Sequence, residues 1–237
     1  MSRDSIRQRI IRKIKTNRIS TTEVADCLGK SGDISGLQPL SRGHFEVGEV
    51  YLAYCYNESN WELHQQLEGA KPGQVIVVET HNCGTRAAFG DLVSKFGVLY
   101  QEASAMVVNG YLRDAHNLRK HRYPVWCRGV TPIGCFNRQN RRPLEASVLQ
   151  DWKRRYQGGI AVCDDGGVVV IPPQEVNEDF LQKLDFIELQ EDIWYYCLDV
   201  KKWSTYRTVC LKDYLDTDLL PEELRERFSA FQKELGD

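Results

Sequence analysis

Short apolar runs at residues 75–78, 105–108, 160–162 and 168–171 constrain the fold of this chain more than any other feature of its sequence. Each is too short for a buried helix and is rich in β-branched or small apolar side chains. Each also adjoins turn-forming residues, the pattern of a strand buried on both faces. A further strand is predicted over 47–56 and a short one over 125–127. Between the strands the apolar spacing becomes helical, at 4–15, at 61–69, at 85–96, at 114–122 and at 221–235. One more helix is expected to start with Ser20 or Thr21 as its cap and to stop at Gly29. The connection at 143–155 is polar and partly helical. Asn109-Gly110 reads as the turn that ends the strand at 105–108, and Asp164-Asp165-Gly166-Gly167 as a tight acidic turn between the last two strands. Strands alternating with helices predict a single α/β domain without a linker.

The 237 residues are enough to bury a substantial core, and 42% hydrophobic with 27% charged residues is an ordinary globular balance. A formal charge of -2 gives no overall field that would draw in nucleic acid or an anionic membrane. The first helix carries Ile6, Ile10, Ile11 and Ile14 on one side and Arg or Lys on the others. No aromatic residue interleaves those charges, so it reads as a solvated helix packed on the domain, and nucleic acid is not an expected partner. The eight cysteines are scattered without a Cys-x-x-Cys pair, which points to reduced, buried thiols. The opening residues lack the apolar core of a secretory signal and no run is long enough to span a bilayer, so the cytoplasm is the expected compartment.

Glycine-rich dinucleotide loops, phosphate loops, Gly-x-Ser-x-Gly elbows and His-Glu-x-x-His pairs are absent from the sequence. What remains is the segment 81–132, where small residues, turns and charges gather at the ends of predicted strands, as ligand sites in α/β proteins do. Within it Arg113 and Asp114 arrive side by side after a buried strand. Such a pair taken alone is more often a surface ion pair. His81, His116, Cys83 and Cys127 lie nearby, but no sequence feature supplies them with a base or a cation, so structural roles are expected. The aromatic run Trp194-Tyr195-Tyr196 reads as core or subunit interface.

Five segments taken together say more than any one of them. TEVADCLG at 22–29, HNCGTRAAFGDLV at 81–93, VNGYLRD at 108–114, PVWCRGVTP at 124–132 and AVCDDGGVVVIP at 161–172 resemble, in order, the motifs of one family. It contains the 4-hydroxy-4-methyl-2-oxoglutarate/4-carboxy-4-hydroxy-2-oxoadipate aldolases, which are class II pyruvate aldolases, and the regulator of ribonuclease activity A, RraA. The likeness covers residues 20–175. It leaves out a basic N-terminal helix at 1–19 and a mainly helical C-terminal extension at 176–237, expected to pack on the domain.

The resemblance implies a swivelling α/β/β sandwich assembled as a homotrimeric ring, with each active site between neighbouring subunits. It implies a divalent metal ion, Mg2+ or alternatively Mn2+, with Asp114 as direct ligand and Asp91 holding a water of the ion's shell. Arg113 would bind the keto oxygen of a small 2-oxo acid, and backbone N–H groups near Gly90, Leu92 and Val93 would receive its carboxylate. Asp26 would assist proton transfer in a neighbour's site. The implied reactions are retro-aldol cleavage releasing pyruvate, or oxaloacetate decarboxylation. Because the family includes members that bind a ribonuclease, a non-catalytic trimer that regulates a protein partner is the alternative. The chain departs from the family pattern at Asn117 and Gly166, where acidic residues are usual, and by one extra residue between Asp91 and Arg113.

Overall fold

The computed structural model describes residues 3–236, and these divide into two compact units, one running to Glu178 and the other starting at Asp179. In chain order the first unit contains α1 (Arg3–Asn17), α2 (Thr21–Cys27), β1 (Gln38–Pro39), β2 (Glu46–Tyr56), α3 (Trp61–Gln66), β3 (Val75–His81), β4 (Ala87–Phe89), α4 (Asp91–Lys95), β5 (Ala105–Leu112), α5 (Ala115–His121), β6 (Val125–Val130), α6 (Ala146–Tyr156), β7 (Ile160–Asp164) and β8 (Gly167–Ile171). The predicted capping at Ser20 is present in full. Its side chain accepts from the N–H of Glu23, whose carboxylate accepts in turn from the Ser20 N–H.

Strand order is β1-β6-β5-β3-β2-β7-β8, with β4 added beside β5. The centre is parallel: β2 with β3, β3 with β5, β5 with β6, and β4 with β5. The long strand β2 serves two sheets. Its second part runs parallel to β3 from Val50 onward, whereas Glu46–Glu49 pair antiparallel with β7, which forms a hairpin with β8.

Strict alternation sorts the side chains of the central strands into two cores. Ile76 and Val78 of β3, Met106 and Val108 of β5, and Val125 and Cys127 of β6 join Leu63, Val93 and Leu118 from the helices. Their neighbours Val75, Val77, Ala105, Val107 and Trp126 point the other way, against Tyr156 of α6 and against Ala161, Cys163, Val168 and Val170 of the hairpin. Helices, parallel sheet and hairpin thus form three layers, which is the α/β/β sandwich that the family resemblance implies. Burial on both faces explains why the strands read as continuous apolar runs. Helix α1 buries Ile6, Ile10, Ile11 and Ile14.

Two expectations fail. The stretch 85–96 is not one helix: Ala87–Phe89 is a strand, and the helix begins only at Asp91. Tertiary pairing with the far end of β5 overrides the helical propensity of two alanines. Nor does Asn109-Gly110 end β5, which continues to Leu112. The β5–β6 ladder shifts register between Val108 and Tyr111 instead, so this dipeptide marks an irregularity inside a strand.

The second unit is helical, built on α7 (Glu178–Asp199) and α8 (Glu222–Gly236). Its core joins Leu189, Ile193, Cys197, Tyr214, Leu220, Leu224 and Phe228, with Trp194, Tyr196 and Trp203 packed against it. Tyr195 is exposed, so the aromatic run is divided between core and surface. Among the described residues no helix is long and apolar enough to cross a membrane.

Candidate active site

Two strand-to-helix junctions meet at the carboxyl edge of the parallel sheet. One leaves β4 through Gly90 into α4; the other leaves β5 through Arg113 and Asp114 into α5. The Arg113 N–H donates to the Phe89 carbonyl at 3.0 Å, which fastens the junctions to each other. Asp114 occupies the N-cap position of α5 with φ of 57°, a left-handed conformation that aspartate tolerates better than most residues. It makes no capping bond to its own helix. Its Oδ2 accepts the N–H of Asp91 across the gap at 3.1 Å and lies 3.7 Å from Arg113 Nε.

Gly90 is what allows this approach. A Cβ there would overlap Asp114 Oδ2 and sit 2.7 Å from Arg113 Cγ. On the other side, a Cβ at Gly134 would lie 2.7 Å from Arg113 Nη1, so a backbone segment after β6 walls the guanidinium. Gly134 is itself held by Arg86, whose Nη1 donates to its carbonyl at 3.2 Å while Nε pairs with Glu58 at 3.1 Å. Asp91 contributes an anomaly: its Oδ1 is buried without a hydrogen-bond partner in the described structure. Burying a carboxylate oxygen without a donor is unfavourable unless a cation or water completes it.

Of the residues singled out in the sequence, Gly90, Asp91, Leu92, Val93, Arg113 and Asp114 belong to this one cluster or to the first turn of α4 beside it. The side chains of Arg113 and Asp114 are each nearly half exposed, and Leu92 is exposed. Asp26 is elsewhere. It pairs with Lys30 at 2.7 Å on the edge of a separate cleft of about 370 Å³, lined also by Thr21, Thr22 and Asp33. Asn117 is exposed one turn beyond Asp114, and Gly166 donates its N–H to Asp164 Oδ1 at 2.7 Å. That same carboxylate holds the N–H and hydroxyl of Thr21 at the start of α2, so the acidic turn has a structural partner. His81 sets its ring edge against Trp152, and His116 is exposed. Sequence reasoning missed Arg86 and Gly134. Their role comes from a loop packed across 48 residues of sequence, and no local pattern announces it.

Among the described residues no three His, Cys, Asp or Glu side chains are grouped as a metal cage. Asp114 with the unsatisfied Asp91 oxygen nevertheless fits a hard divalent cation of the magnesium type. Such an ion takes one or two protein carboxylates and keeps the rest of its shell for water and substrate.

Fold and site together define an α/β sandwich that presents an Arg-Asp pair where two strand-to-helix junctions meet. The model of the RraA-like family, described as Aldolase/RraA, matches residues 21–170, and the chain belongs to that family. Over 184 residues it is 26% identical to Protein DlpA of Legionella pneumophila, covering 76% of this chain but only 30% of DlpA. It is 29% identical over 166 residues to a Halalkalibacterium halodurans protein named "Putative 4-hydroxy-4-methyl-2-oxoglutarate aldolase", covering 70% of this chain and 78% of that one. Among solved structures, Streptomyces coelicolor RraAS2, described as an unusual member of the RNase ES inhibitor RraA family, superposes with a TM-score of 0.60 at 24% identity. That match covers 76% of this chain and 94% of RraAS2, and it supports the fold.

Proposed function

We propose that the chain is a divalent-metal-dependent lyase acting on a small 2-oxo acid, by retro-aldol cleavage that releases pyruvate or by decarboxylation of oxaloacetate. The observation that carries this reading is the pairing of Asp114 with the Asp91 junction around Gly90, beside a buried Asp91 oxygen that lacks a donor. Breaking the bond beyond C3 of a 2-oxo acid sends its electron pair toward the C2 carbonyl oxygen, where negative charge develops. Asp114 would hold Mg2+ or Mn2+ directly and Asp91 through a water, and the ion when bound supplies Lewis-acid stabilisation of that charge. Arg113, braced by the Gly134 backbone, supplies a fixed cation and planar donors to the same oxygen. N–H groups of Leu92 and Val93, in the first turn of α4 and so without intrahelical partners, would receive the substrate carboxylate. Asp26 lies outside this cluster. Its part in proton transfer therefore requires a neighbouring subunit, and the proposal includes a homotrimer with sites shared between protomers.

Incubation with Mg2+ and a panel of 4-hydroxy-2-oxo acids plus oxaloacetate, followed by pyruvate detection, tests the reading. Pyruvate release that stops on chelation supports it. Trimers that turn over no member of the panel would instead favour a regulator that binds a protein partner.

A further inference from the structure

Cations that are scattered in the sequence meet on one side of the first unit. Helix α1 delivers Lys15 in its last turn and Arg18 just beyond its end. Helix α5 ends in Arg119, Lys120, His121 and Arg122, and the loop before β2 carries Arg42. That loop joins the two helix ends. Arg122 Nη2 donates to the Arg42 carbonyl at 3.0 Å, and a Cβ at the adjacent Gly43 would lie 3.9 Å from the same nitrogen. On its other side the loop lays Phe45 under the Arg18 guanidinium, whose Cζ is 4.8 Å from the ring centroid. Arg18, Gly43, His44 and Phe45 line one cleft of about 350 Å³.

The Lys and Arg side chains of this surface belong to exposed residues, and among the described residues none forms an ion pair. Arg86, Arg113 and Arg207 elsewhere in the chain do. The acids of the cleft do not neutralise the cations, because they are engaged with other donors: Asp164 holds Thr21 and the Gly166 N–H, and Asp165 accepts the Gly43 N–H at 3.0 Å. Helix α1 by itself has no aromatic residue among its charges, but the fold supplies planar groups at both ends of the surface. Arg18 rests on Phe45 at one end. At the other the exposed His121 ring stacks on Tyr123, with centroids 5.3 Å apart and planes at 22°.

From this arrangement we infer that the end of α1, the loop at 42–45 and the end of α5 form a binding surface for single-stranded RNA. The exposed cations meet the phosphates, and four of them are arginines, whose planar fork suits a phosphate group. The Arg18 guanidinium and the His121 ring offer faces on which unpaired bases stack. Hydroxyls of Ser20 and Thr22 line the same cleft as Arg18 and give a ribose 2′-hydroxyl its partners. A lipid surface fits less well, since among the described residues no large exposed apolar side chain lies on these three segments. An acidic protein segment would match the charge but has no use for the stacking planes.

The full chain is titrated into a fluorescein-labelled, unstructured RNA of about 12 nucleotides and followed by fluorescence anisotropy. The plot of log K against log salt concentration should have a slope of about −2 to −4, the value for about three to six phosphate contacts on a single strand. The triple variant Arg42→Gln, Arg119→Gln, Lys120→Gln, with circular dichroism confirming the fold, should bind about tenfold or more weakly and flatten the slope by about 2. Arg18→Lys keeps the charge but loses the plane, so it should weaken binding about fivefold or more with the slope unchanged. DNA of the same sequence and poly-glutamate should compete poorly. The inference is overturned if the wild type does not bind at low salt, if either variant binds as the wild type does, or if the DNA or poly-glutamate competes as well as unlabelled RNA. None of these readouts depends on the proposed lyase activity.

Discussion

Asp114 Oδ2 accepts the backbone N–H of Asp91 at 3.1 Å, joining two helix starts that lie 23 residues apart in sequence. The bond uses an aspartate in the position of a helix cap to bind the neighbouring junction, and its carboxylate is presented at the sheet edge with Arg113 beside it.

Gly90→Ala tests the closeness of that contact. A methyl group would overlap Asp114 Oδ2, so the carboxylate must swing away. Turnover is expected to fall on the order of 10²-fold, because catalysis is sensitive to displacements near 1 Å. Circular dichroism should show an intact fold, and Mn2+ titration should show weakened binding. Unchanged turnover would mean that the contact is not needed.

Asn117→Asp restores an acid one turn after Asp114. Under the proposed reading it tightens Mg2+ binding, measured by calorimetry, because an acid near the ion orients its outer shell. Weaker or unaltered binding would place the ion elsewhere.

A buried network gives a stability prediction independent of catalysis. Glu79, 4% exposed on β3, accepts from Tyr156 Oη at 2.5 Å and from Asn109 Nδ2 at 2.9 Å. Tyr156→Phe removes one donor from a buried carboxylate and is expected to destabilise the fold by about 1–3 kcal/mol in urea unfolding. An unaltered midpoint would contradict the assigned network.

His44 sets a pH dependence. Burial, and then the Arg122 charge, lower its pKa from the ordinary 6.5. The unfolded chain therefore binds a proton more readily than the native state. This contribution to stability is complete above pH 6.5 and is lost as pH falls through the lower native value. His64, lowered by burial, adds in the same direction. Urea midpoints measured between pH 7.5 and 5 should decline for the wild type and decline less for His44→Gln; parallel curves would rule out His44 as a source.

Much of this architecture was legible in the sequence. Residues 75–78 and 105–108 announced central strands because burial on both faces leaves no polar interruption, and Ser20 with Glu23 announced the start of α2. The candidate site was located through the resemblance of five segments to one family, since Arg113 and Asp114 taken alone read as a surface ion pair. By contrast, Ala87–Phe89 read as helix because three small or apolar residues have no period of their own; only pairing with β5 makes them a strand. Arg86 and Gly134 were hidden for the same reason: their contact depends on the segment after β6 folding back on the turn after β3.

The proposed homotrimer is what would bring Asp26, which lies outside the Arg113 cluster of its own protomer, to a neighbour's site. Multi-angle light scattering at micromolar concentration should give three times 27.3 kDa or a multiple of it. A stable monomer would remove Asp26 from the mechanism.

Under the proposed function Asp114 and Arg113 together carry a metal-dependent cleavage of a 2-oxo acid, read out as pyruvate release from the 4-hydroxy-2-oxo acid panel. Wild-type protein with Mg2+ should release pyruvate and stop when the ion is chelated. Asp114→Asn should cut turnover and shift the Mg2+ requirement upward. Arg113→Lys should lose on the order of 10²-fold or more, since it keeps the charge but not the planar donors. Turnover that survives chelation, or an Asp114→Asn protein as active as the wild type, would contradict the account.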